Sequence, residues 1–134
     1  MKKSVVIGLV LVCLIMALTV TVMAQEDYPV ELAGVTILRV RFPASGFDAS
    51  ERMHIAYERL IDALGYYDLN LEPELVNIRI QSNSPAIFIG DKLFFTVDED
   101  HAVYNGAAPM VLAEKWAANL RLAIEKYLDT GLGN

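Results

Sequence analysis

Lys2 and Lys3, followed by an almost unbroken apolar run from Ser4 to Val22, take the first 24 residues out of any globular fold. Val22-Met23-Ala24 places short side chains at the two positions a signal peptidase reads, and polar Gln25, Glu26 and Asp27 follow. The pattern is that of a secretory signal peptide, residues 1–24, cleaved after Ala24. A run of about 19 apolar residues also just spans a bilayer, so a retained anchor through residues 5–23 is the rival reading. Cys13 does not read as a lipid-attachment site, because Val12 precedes it where a small residue is needed. Either reading exports the chain to a periplasmic or extracellular address.

Of 134 residues, 24 belong to the leader, which leaves 110, enough for one domain. Two of the 11 basic side chains lie in the leader, leaving 9 against 17 acidic ones and a net charge of −8. Such an acidic domain is poorly suited to nucleic acid or anionic head groups. The one cysteine is Cys13, so the mature part has no disulfide and no thiol chemistry. Its stability must come from a packed core.

Residues 25–33 are polar and proline-containing, and read as a tether to a single domain over residues 34–130. Val35 to Phe42 alternates, with Leu38, Val40 and Phe42 on one side and Ile37, Arg39 and Arg41 on the other, as in a half-buried strand. Pro43 ends it. Asp48 is a suitable N-cap with Glu51 three residues on, and Met53, Ala56, Tyr57, Leu60, Ile61 and Leu64 recur at helical spacing. Gly65 stands where a left-handed C-cap belongs. Val76 to Gln81 alternates as a second strand. Two apolar runs flank Gly90-Asp91, whose leading glycine suits a type II′ hairpin turn. Pro109 opens a long helix whose stripe is Ala113, Trp116, Ala117, Leu120, Ala123, Ile124 and Tyr127, with Gly131 closing it. The order strand, helix, strand, hairpin, helix predicts an α+β two-layer sandwich. Its two helices are expected on one face of a mixed or antiparallel sheet.

Enzyme signals are weak. No cysteine nucleophile, phosphate loop or His-x-x-x-His pair is present after the leader, and His54 falls on the polar side of the first helix. Two clusters remain. Asp98, Asp100 and His101 offer oxygen and imidazole ligands for a divalent cation, although no glutamate completes an EF-hand. The alternative is a loop in which one acid caps a short helical turn. Arg39, Arg41 and Arg79 would converge on the open sheet face if the first two strands were neighbours. They would then bind a ligand or partner through carboxylates or phosphates.

The strand Val35–Phe42, Ala49-Ser50-Glu51-Arg52 and Glu58-Arg59-Leu60 resemble the start of a known extracytoplasmic domain. It precedes the membrane part of some bacterial small-conductance-type mechanosensitive channels. Ile89-Gly90, Thr96-Val97, Asp100, Leu112-Ala113 and Trp116-Ala117 resemble its second half, and the likeness spans most of residues 34–128. One departure is His101, which intervenes before Ala102 where that family places alanine after the aspartate. The resemblance implies a stand-alone envelope module without pore helices or established catalytic residues. The expectation is thus a non-enzymatic exported module, without cofactor, that binds an envelope or membrane protein partner or a small ligand. The alternative is a divalent-cation sensor built on Asp98 to His101.

Overall fold

A computed structural model describes residues 26–131, so the leader and its Cys13 lie outside the described residues. The elements are β1 (Tyr28–Leu32), β2 (Val35–Val40), α1 (Ala49–Tyr67), β3 (Val76–Gln81), β4 (Ser84–Ile89), β5 (Lys92–Thr96), α2 (Glu99–Tyr104) and α3 (Pro109–Asp129). Two short 3₁₀ turns fill the link between α1 and β3. The fold is α+β.

The strands form two small antiparallel sheets, β1-β2 and β3-β4-β5, rather than the single sheet expected. Part of the reason lies in the stretch read as a tether. Residues 28–32 are β1, paired with β2 through a two-residue turn at Ala33-Gly34, where both residues take positive φ. That turn chemistry matches the twist of the flanking strands, but Pro29 and Glu31 hide the strand in a polar stretch. Asn119 of α3 donates to the Ile37 carbonyl at 3.0 Å, and Arg121 donates to the Val76 carbonyl at 3.0 Å. α3 thereby ties the backbones of both sheets, and α1 packs against β1, β2 and β5. Each long helix contacts both sheets.

α1 begins as its sequence demands. The Asp48 carboxylate accepts the Glu51 N–H at 2.8 Å, and the Glu51 carboxylate accepts the Asp48 N–H at 3.4 Å. Its end differs from expectation. Gly65 lies inside the helix, which continues to Tyr67, and Asp68 is the C-cap at φ +41°, its N–H donating to the Leu64 carbonyl. The extension has a tertiary cause, since the Tyr67 hydroxyl accepts the Asp91 N–H at 2.9 Å and lies against Gly90. The buried face of α1 is Ala56, Leu60 and Ala63, while Ile61 is exposed. Gly90 has φ +58° and Asp91 does not join it at positive φ, as a II′ turn requires.

Along α3 the expected stripe is buried, with Leu112 added and Tyr127 half-buried. Trp116 is 5% exposed, in the core with Phe94, Phe95, Ile87 and Ile89. Trp116→Ala is expected to cost about 3–5 kcal/mol in a urea titration, the usual cost of truncating a buried aromatic. A loss below about 1 kcal/mol would contradict this packing. Gly90→Ala is expected to cost about 1–3 kcal/mol by the same measurement. A methyl there both strains the turn and collides with the Tyr67 hydroxyl.

Candidate functional site

The short helix α2 carries the one buried charged or polar side chain among the described residues, His101, at 0% exposure. The Asp98 carboxylate caps α2, accepting the His101 N–H at 3.1 Å, and its Oδ1 lies 2.7 Å from the imidazole Nδ1. On the far side, the backbone N–H of Arg41 donates to Nε2 at 2.9 Å. A backbone amide can only donate, so Nε2 holds the lone pair and Nδ1 carries the proton that Asp98 accepts. Three rings surround the imidazole edge to face, those of Phe42 at 5.0 Å, Trp116 at 5.7 Å and Phe95 at 6.1 Å.

Asp98 also receives Arg52 of α1, whose Nη2 lies 3.0 Å from Oδ1. The same guanidinium donates to the Phe42 carbonyl at 2.9 Å and the Thr96 carbonyl at 3.4 Å, and lies over the Phe95 ring at 4.7 Å. Burial pushes the Asp98 carboxyl up, but the His101 hydrogen bonds and the Arg52 charge outweigh it and hold the group at about 2. No buried side-chain nitrogen or oxygen among the described residues is left without a partner.

Beside this network lies an open cleft of about 360 Å³, bounded by α1, two turns and β5. One wall is the Ala44–Phe47 turn, closed by reciprocal backbone bonds of 3.0 Å with Ser45 and Gly46 at positive φ. The other is the β3–β4 turn, where Ser82 and Asn83 take positive φ. Arg52 and Arg59 enter from α1, seven residues apart and so on one helix face roughly 10 Å apart along the axis. Arg59 donates to the Phe94 carbonyl at 3.5 Å, and burial, then repulsion from Arg52, pull its guanidinium below the usual value.

The structure does not bring the expected arginines together. Arg39 and Arg41 both reach Asp27, at 3.5 and 3.1 Å, and Arg41 stacks over the Tyr104 ring at 4.3 Å. Arg79 lies in the other sheet, paired with Asp91 at 2.8 Å and stacked over Phe88. Strands β2 and β3 are not neighbours, so the three-guanidinium face does not form. The cation cluster is dispersed too. Asp98 and His101 meet, but Asp100 is exposed on α2, and the Nε2 lone pair that a metal would use is taken by the Arg41 amide. Among the described residues no group of three or more His, Cys, Asp or Glu side chains is placed to hold a metal ion. His54 is exposed, as expected.

The cleft residues were only partly legible in sequence. Arg52 and Arg59 share the i, i+7 spacing of one helix face, a signal visible beside the apolar stripe. Their meeting with Asp98, 46 residues beyond Arg52, depends on the tertiary fold.

These features define a small α+β domain organised by a buried Asp-His-Arg network beside an open arginine-lined cleft. The chain belongs to the DUF8459 family, a domain of unknown function, whose model matches residues 29–127. That match begins inside β1. No curated protein and no solved structure matches the chain.

Acid should dismantle the network in a defined window. The folded value of Asp98 is depressed to about 2 from 3.8. Its contribution is therefore complete above about pH 4 and lost as pH falls towards 2. After screening at its 21% exposed side chain, about 1–2 kcal/mol is expected to disappear across that window. Urea midpoints measured against pH should show the slope, and Asp98→Asn should flatten it.

Proposed function

We propose that this protein is a non-enzymatic, exported binding module of the cell envelope, which takes its ligand in the cleft between α1 and the β3–β4 turn. The observation that carries the reading is that open, guanidinium-lined cleft, whose volume falls at the small end of ligand sites. The buried network beside it supports the same role. Asp98, His101 and Arg52 are committed to one another and to backbone groups, which holds the cleft wall rigid. The leader pattern of residues 1–24 supports export, and the resemblance to an accessory domain of mechanosensitive channels supports an envelope setting.

Native mass spectrometry of the protein isolated from the envelope fraction tests this. The expected species starts at Gln25 and carries a non-covalent adduct. Ser84→Trp, which fills the cleft from the first residue of β4, is expected to remain folded and lose it. A protein retained in the cytoplasm overturns the export reading. An adduct that survives Ser84→Trp overturns the assignment to the cleft.

A further inference from the structure

We infer that the cleft binds a small monocarboxylate with an apolar body, and that Arg59 takes the carboxylate while Phe47, Ile55 and Phe95 hold the rest. This deepens the binding-module reading and rests on it. Arg39, Arg41, Arg52 and Arg79 each meet a carboxylate, and Arg121, away from the cleft lining, donates to the Val76 carbonyl. Among the described residues Arg59 meets no carboxylate, although the domain is strongly acidic and its side chain lines the cleft. The lining holds two guanidiniums against the single carboxylate of Asp98, an excess of one positive charge. That excess matches a monoanion, whereas a phosphate dianion would leave negative charge uncompensated beside Asp98. An anion beside Arg59 would offset both the cost of taking its charge out of water and its repulsion from Arg52.

The shape of the lining argues for the rest of the ligand. Phe47 lines the cleft from the Ala44–Phe47 turn and is 44% exposed, so part of its ring is open to a ligand. Ile55 sits on α1 between the two arginines, and Phe95 forms part of the lining. Ser82 and Ser84 line the opposite wall, and a serine hydroxyl there can donate to the second carboxylate oxygen or to a polar substituent. A planar guanidinium pairs with a carboxylate through two parallel bonds, a geometry that lysine cannot reproduce.

Calorimetric titration of the full-length protein in non-ionic detergent tests the inference, with benzoate, hexanoate, acetate and inorganic phosphate as probes. Benzoate and hexanoate are expected to bind, with acetate and phosphate at least about tenfold weaker. Arg59→Gln should weaken benzoate at least about tenfold, the loss expected for a charged hydrogen-bonded contact, with Arg59→Lys between. The unliganded Arg59→Gln protein should melt at or above the wild-type temperature, because a repulsion is removed. A variant melting several degrees lower would make Arg59 a structural residue and overturn the inference. Phosphate binding as tight as benzoate, and dependent on Arg59, would overturn the carboxylate assignment while leaving the binding module standing. No binding by any probe would overturn the inference alone, since the adduct experiment decides the wider reading independently.

Discussion

The hydrogen bond from the Arg41 backbone amide to the imidazole of His101 joins residues 60 apart and orders much of what surrounds it. It fixes the tautomer of the ring, which presents its proton to Asp98. Asp98 in turn gathers Arg52 from α1, and Arg52 binds carbonyls at the exit of β2 and the end of β5. The rings of Phe42, Phe95 and Trp116 enclose the imidazole. Two sheets, two long helices and one short helix therefore meet at a single polar knot. A half-satisfied version of that knot would be worse than an apolar core, because a buried polar group without a partner costs more than its bond returns.

The parts of the fold legible in the sequence are those set by neighbours in the chain. The capping box of Asp48 and Glu51, the stripe of α3 and the II′ turn at Gly90-Asp91 are decided within a few residues, and each is found as expected. Distant partners decide the rest. Gly65 does not end α1 because Tyr67 has a seat against Gly90, 23 residues away. β1 escapes a pattern reading because it is only five residues long and holds Pro29, a poor strand residue, although Tyr28, Val30 and Leu32 do alternate. His101 reads as a polar loop residue in sequence, yet it is the centre of the buried network.

The candidate site shows the same division. Arg39, Arg41 and Arg79 stand out on an alternating pattern, but charge on a strand says nothing about which carboxylate folds back to meet it. Asp27 and Asp91 do so. Arg52 and Arg59 draw less notice inside a helix, and their difference is one of pairing. Arg52 is absorbed by Asp98, while Arg59 faces the cleft opposite serine-bearing turns. Where a cation lacks an internal answer, a ligand can supply it.

Splitting five strands between two sheets leaves β4 alone with a neighbour on both sides. A molecule with so many open ladders risks pairing with other copies of itself. Its strand chemistry counters that risk. Pro29 withholds a donor from β1, Arg79 puts a charge in the middle of β3, and β5 lies under α1 with Lys92 at its start. Arg79 thus has a consequence unrelated to recognition, a charge on an edge strand that disfavours pairing with another copy. The apolar Ile80 beside it, 60% exposed, shows how little else on that edge would discourage a passing strand.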